Sequence, residues 1–300
     1  VARSLWIAAV SGVLINNFFV WPWEGYAYSV GSVEVEGARE WWSANGVKRL
    51  AGFSRSSFDA AVQVQLLGLI TAISTPRMTF RVLIWVFTFT AVYLTTSKGV
   101  LLVFLVCTPF VIFRNLVPES VLRPLPAAIG TLGLILPIST LLFTFTPDRS
   151  GQAFLVNVLF SFYERLNDMW PKAWALLIEH GHFLMGRGIG GIGTAQSYFE
   201  LTLSNAADNL FMYWFVVFGW AVLPGFIVLL FLSLYLRPYR SELQMTVFSL
   251  LTATLVYGLT TNIVENAAFA ITFGLVVRVL TQSSNNYIQH SHQTPQGAAQ

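Results

Sequence analysis

Three hundred residues are enough for one or two domains, but 55% of them are apolar and only 10% are charged, with a mean hydropathy of +0.63 and a formal net charge of +3. Soluble domains carry about 25% charged residues, and a water-soluble globule of this composition would expose more apolar surface than water tolerates. These values argue against a cytosolic enzyme, a disulfide scaffold and a disordered chain, and they make the bilayer the expected solvent.

From the N-terminus, runs without charge extend from Ser4 to Trp23, Ala60 to Pro76, Val82 to Ser97, Gly99 to Phe113, Pro124 to Pro147, Asn209 to Leu236, Leu243 to Val264 and Asn266 to Val277. A spanning helix needs about 20 mostly apolar residues, with about 17 tolerable. The third and fourth runs fall slightly short alone, but Arg81, Lys98 and Arg114 at their ends can snorkel and extend the usable length. The last run reads as a helix reaching about Leu280 or as a re-entrant segment. The first lacks a basic n-region and a cleavage site, so it is not an evident signal peptide. Cys107, the single cysteine, lies in the fourth run and leaves no disulfide or cysteine-based metal site within the chain. The predicted fold is therefore all-α: a polytopic membrane domain over residues 1–281 with about eight transmembrane helices.

The distribution of charge supports eight crossings, because each added or lost helix reverses the side of every later loop. With a cytoplasmic N-terminus, the inner side receives Arg3, Arg77, Arg81, Arg114, Arg123, Arg237, Arg240 and Arg278 against only Glu119 and Glu242. Fusing residues 82–113 into one tilted helix would put the Arg77/Arg81 and Arg114/Arg123 clusters on opposite sides, so a turn is predicted at Lys98.

Two long outer loops remain, residues 22–58 and 148–208, and the tryptophans in them or at their edge (among them Trp21, Trp23, Trp41, Trp42, Trp170 and Trp174) speak against disorder. In the first, Glu34 and Glu36 alternate with valine as in an exposed hairpin and read as a solvated face. In the second, Gln152 to Phe160 reads as an interfacial helix and Tyr163 to Leu184 as an amphipathic one, ended by the glycines that follow. The polar tail, residues 282–300, is expected to be a flexible cytoplasmic end, and its His290 and His292 carry little weight as metal ligands. No dinucleotide or Walker loop follows a strand.

The outer loops combine cations with aromatics. Arginine offers a planar fork of donors for phosphate oxygens, and indole and phenol rings offer faces to pyranose rings. Arg49 and Arg55 suit either interfacial anchoring to head groups or phosphate contact. Lys98 is the only charge between Val82 and Phe113, and a charge near bilayer depth is costly unless it faces a polar site. Arg165 and Arg187 flank the stretch from Trp170 to Gly186, with Gly188 just beyond, where glycines can form an anion-holding nest or merely a connection. Asp208, before Asn209, is either a helix N-cap or a general base able to take a proton from a sugar hydroxyl. His180 and His182 are rival bases, or simply solvated.

The order of these features, Arg49-x-x-Gly52, Thr95-x-Ser97-Lys98, Arg165…Trp170-x-x-Ala173…Gly186-x-Gly188, and Asp208-Asn209 opening a helix that contains Gly219, resembles the O-antigen ligase and Wzy-type polysaccharide polymerase family over roughly Arg49 to Leu236. The resemblance implies a metal-independent, cofactor-free, GT-C-like glycosyltransferase at the periplasmic face of the bacterial inner membrane. Its donor would be a glycan on undecaprenyl pyrophosphate, its other partners the lipid bilayer and a chain-length regulator protein, with no nucleic acid. It also implies that this chain is the C-terminal two-thirds of a longer protein. Carried over, Arg49, Lys98 and Arg165 hold the pyrophosphate, Gly186 to Gly191 shape the loop over the donor, and Asp208 is the base. The family commonly has arginine where this chain has Lys98, and ligases commonly place histidine where it has Asp208; the second difference favours a polymerase over an O-antigen ligase. A lipid-linked sugar flippase, the non-enzymatic rival, would need ionisable groups along a path through the bundle, and the predicted spans are free of charge except near their ends.

Overall fold

Apolar runs fold as helices where a polar residue can cap them and end where glycine, proline or a polar turn intervenes. A computed structural model describes residues 1–30, 33–38, 41–42, 46–114, 116–144 and 160–292 of the chain. It is mostly helical. The first helices are α1 (Ala2–Asn16), α2 (Ser57–Ile73), α3 (Met78–Leu94), α4 (Lys98–Ile112) and α5 (Glu119–Leu122), the last leading directly into α6 (Leu125–Ser139). There follow α7 (Trp170–His180), the single turn α8 (Gln196–Phe199), α9 (Leu210–Phe218), a 3-10 turn over Gly219–Val222, α10 (Leu223–Ser233), α11 (Glu242–Gly258) and α12 (Ala267–His292). Helical segments thus occupy all eight predicted runs, and the predicted turn before Lys98 is present, with Thr96 at φ 55°. By length and composition two segments, Glu119–Ser139 and Leu210–Ser233, are able to cross a membrane, while α1 to α4 and Ala267–Val279 are apolar but shorter.

The caps follow the sequence. Ser56 accepts from Asp59 N at the start of α2, Asn209 from Phe211 and Met212 N at α9, and Ser241 from Gln244 N at α11. Helix α11 is the axis of the bundle: every residue from Val247 to Gly258 is buried, and α2, α4, α6 and α12 pack around it. The surrounding helices bury one face and leave the other apolar and exposed, as at Val86 and Phe87 on α3, Ile135 on α6 and Val228 on α10.

Short cross-links show which helix ends meet. Leu50 N donates to Leu94 O, Asn209 Nδ2 to Leu259 O, Asn266 Nδ2 to Asp59 and Trp174 Nε1 to Pro137 O, gathering the ends near residues 50, 59, 94, 137, 209, 259 and 266 at one end of the bundle. At the other, Arg81 reaches Ala72 and Thr75, Arg123 reaches Leu234 O, and Tyr239 reaches Val117 O. The two expected outer loops therefore share one end, opposite the short basic connections.

In the first loop, β1 (Ala27–Val30) pairs antiparallel with β2 (Val33–Glu36), and β3 (Trp41–Trp42) pairs with β4 (Lys48–Arg49). Glu34 and Glu36 are exposed, as their alternation with valine predicts. In the second, residues 160–180 are helical and stop at Gly181, earlier than the predicted Leu184; the interfacial helix predicted from Gln152 lies, up to residue 159, outside the described residues. Helix α12 runs past the predicted tail boundary at residue 282, and residues 293–300 lie outside the described residues.

Candidate functional site

The end carrying both outer loops centres on Arg165 and Asp208. The helix holding Arg165 is wound as a π turn over Arg165–Met169, and Trp170 N donates five residues back to Arg165 O. Pro171 explains the extra width: it lacks an N–H, and its ring would clash with the carbonyl four residues earlier in an α-helical register. In this setting Arg165 Nη2 donates to Asp208 Oδ2 at 2.9 Å, and Nη1 donates to Ser161 O at 2.8 Å. Its Nε is buried and has no acceptor among the described residues. A buried guanidinium N–H without a partner costs free energy, and here it sits beside a carboxylate.

Asp208 is reached through a strained backbone. Ala207 and Asp208 have φ of 62° and 43°, in the left-handed region that non-glycine residues avoid. Two residues hold this bend. Trp170, fully buried, donates from Nε1 to Ala207 O at 3.0 Å, and the Asn205 amide accepts from Ala207 N at 2.8 Å while donating to Met169 O. Burial raises the Asp208 carboxyl above the ordinary aspartate range, and the opposing charge of Arg165 only partly offsets this. Its side chain remains 30% exposed, so a reacting hydroxyl can approach a carboxylate of increased basicity.

Around this pair the bundle brings further groups. The Tyr257 hydroxyl, at the end of α11, lies within electrostatic reach of both Asp208 and Arg49. Arg49, on β4, donates from Nε to Thr95 O at 3.3 Å and stacks over the Phe58 ring at 4.3 Å. Lys98 is exposed at the start of α4, with no hydrogen-bond or ion-pair partner among the described residues. Its neighbour Gly99 packs against Tyr257 and Thr260. Arg165, Asp208, Arg49 and Lys98 are thus brought to one end of the bundle, with Tyr257 between them.

The remaining predicted residues have other roles. Asn209 is fully buried and caps α9 with its oxygen while its nitrogen holds Leu259 O, so it offers no surface to a ligand. Trp170 has no exposed face on which a sugar could stack. Arg187 directs its guanidinium to Glu200, Gly191 O and His180 O; the hydrogen bonds that Glu200 accepts from Gln196 and from Arg187 hold its carboxyl below the ordinary glutamate range. The glycine-rich turn is not an open anion nest. Arg187 N and Gly188 N donate to Val216 O and Val217 O, and a Cβ on Gly186 would lie 2.3 Å from Val217 O. The turn satisfies the last carbonyls of α9, where Gly219 (φ 64°) interrupts the helix. Arg55 is exposed and 3.8 Å from Asp59, with no contact to Arg165 or Asp208 among the described residues. His182 Nδ1 accepts from Leu184 and Met185 N, and His180 stands at the end of α7; neither bonds Arg165 or Asp208.

Sequence reasoning passed over Asn205, Ser161 and Tyr257. Asn205 carried a local signal, an asparagine two residues before an alanine whose N–H it can bind; Tyr257 carried none, since it lies in an uninterrupted apolar run. In comparisons with known proteins, no family model, no curated sequence and no solved structure matches this chain.

Proposed function

We propose that this chain is an integral membrane polymerase that crosses the bacterial inner membrane eight times and joins undecaprenyl-pyrophosphate-linked oligosaccharide repeats into O-antigen, capsule or exopolysaccharide at the periplasmic face. The single observation that supports it most is the pairing of Arg165, with a buried donor that has no acceptor among the described residues, to an Asp208 carboxylate of increased basicity. The exposed apolar faces of α3, α6 and α10 support the membrane setting. The resemblance described above supplies the substrate class.

In this reading Asp208 accepts the proton of an acceptor sugar hydroxyl, whose oxygen attacks the anomeric carbon of the donor. The bond from that carbon to the pyrophosphate oxygen breaks, and undecaprenyl pyrophosphate leaves with the bonding electrons. In the same reading the Arg165 guanidinium and Lys98 stabilise the charge that grows on the leaving oxygens, with Lys98 acting as a point charge. Arg49, already engaged by Thr95 O and Phe58, positions the wall beside them.

The test is a purified protein given one lipid-linked oligosaccharide. A ladder of polymers is expected from the wild type and none from Arg165→Ala, although that variant remains folded in the membrane. A wild type that extends nothing, yet transfers the glycan to lipid A-core, is a ligase. Near-normal ladders from Arg165→Ala overturn the site.

A further inference from the structure

The opposite end of the bundle contains a cavity of about 800 Å³ that the polymerase reading leaves without a role. Its size falls within the range of about 300–1,000 Å³ typical of ligand sites. Arg81, Arg114, Glu119, Tyr239, Glu242 and Met245 are among the residues lining it, where the ends of α2 to α5 and α11 meet.

Arg81 is 4% exposed. Its Nε and Nη2 donate to the carbonyls of Ala72 and Thr75 at the end of α2, leaving Nη1 without an acceptor among the described residues. Arg114 stands close enough for the two like charges to act on each other. The side chains of Arg114, Glu119 and Glu242 make no ion pair or hydrogen bond among the described residues. Tyr239 donates to Val117 O at 2.7 Å and feels the charges of both Arg114 and Glu119. Two cations and two carboxylates therefore line one cavity without closing on each other. A simple anion would meet the carboxylates there, and a simple cation the guanidinium groups. A ligand bearing both charges satisfies each pair.

We propose that this cavity binds the headgroup of a zwitterionic aminophospholipid, with the phosphate against Arg114 and Arg81 Nη1 and the primary ammonium against Glu119 and Glu242. Its place at the ends of apolar helices sets it at headgroup depth, which selects a lipid over a soluble phosphate ester. The proposal rests on the bundle lying in a membrane and not on sugar transfer.

Native mass spectrometry of the full chain in detergent, with defined lipids added, tests it. Phosphatidylethanolamine is expected to bind at least about tenfold more tightly than phosphatidylcholine, whose quaternary ammonium donates no hydrogen bond, and than phosphatidylglycerol, which has no cation. Arg114→Gln is expected to weaken the ethanolamine lipid roughly tenfold. Glu119→Gln with Glu242→Gln is expected to reduce it to the phosphatidylcholine level. Equal binding of the three lipids by the wild type, or a preference for phosphatidylglycerol, overturns the proposal without any variant. Soluble phosphoethanolamine binding as tightly as the lipid overturns the lipid assignment. None of these readouts depends on polymer formation, so loss of the polymerase reading leaves them intact.

Discussion

Asp208 and Asn209 are adjacent in sequence and opposite in purpose. The sequence shows that a helix starts here, but not which of the two polar residues caps it, because that depends on backbone angles. With Asp208 at φ 43° and Asn209 extended at φ −160°, the cap falls to Asn209 and the carboxylate is turned towards Arg165. Asn209→Ala is expected to cost about 1–2 kcal/mol in thermal unfolding, and Asn209→Ser to restore most of it, with polymer yield per folded molecule unchanged. Asp208→Asn keeps a side chain tolerated at positive φ and able to accept from Arg165. It is expected to reduce turnover at least about 100-fold with little change in melting temperature, as loss of a general base does. In the proposed role Asp208 acts only when ionised, and burial raises its pKa. The rate should therefore rise with pH through an acid limb lying above the ordinary aspartate value of about 4, and a wild-type profile that stays flat as the pH falls through that value would remove Asp208 from the chemistry.

At the scale of elements, the interruption of the helix at Gly219 and the glycine-rich turn form one structure. Trp220 N and Ala221 N donate to Phe183 O and Leu184 O, while Arg187 N and Gly188 N return to Val216 O and Val217 O, so the turn closes the gap in the helix. Sequence spacing identified the turn, but not its partner, because nothing local announces that its N–H groups meet carbonyls some thirty residues later. Gly186→Ala would place a Cβ against the Val217 carbonyl at φ 73°. It is expected to destabilise the protein by about 2–4 kcal/mol, a close contact added to a strained backbone, whereas Gly188→Ala, at φ 84° with open space around its Cβ position, pays the backbone strain alone. Arg187→Ala is expected to lower the melting temperature, and Glu200→Gln to do the same more mildly. A pure pyrophosphate contact would instead leave the melting temperature unmoved and raise KM.

Across the whole molecule, charge distribution was the most legible feature. The counts of arginine on successive short connections anticipated which helix ends gather together, because that bias acts on whole loops and needs no side-chain detail. The site was less legible: Arg165, Asp208, Arg49 and Lys98 were identifiable as cations and a carboxylate beside apolar runs, while the hydrogen bonds by which Trp170 and Asn205 hold the Ala207 backbone depend on tertiary placement, and Tyr257 sits in a stretch that looks like ordinary core. Cys107 is buried, so cysteines introduced elsewhere can be labelled over a low background once it is replaced by serine. Lys98→Cys is expected to react with a membrane-impermeant maleimide on intact spheroplasts, and Arg240→Cys only after permeabilisation; reaction of both from one side would refute the eight-crossing arrangement. The gap at Gly219 also bears on biogenesis. The carbonyls that receive the glycine-rich turn are translated after it, so a ribosome must add the segment through residue 221 before the turn can dock. Truncation immediately before Leu210 should therefore leave residues 181–193 open to proteolysis, and a separately expressed fragment beginning near residue 205 should protect them.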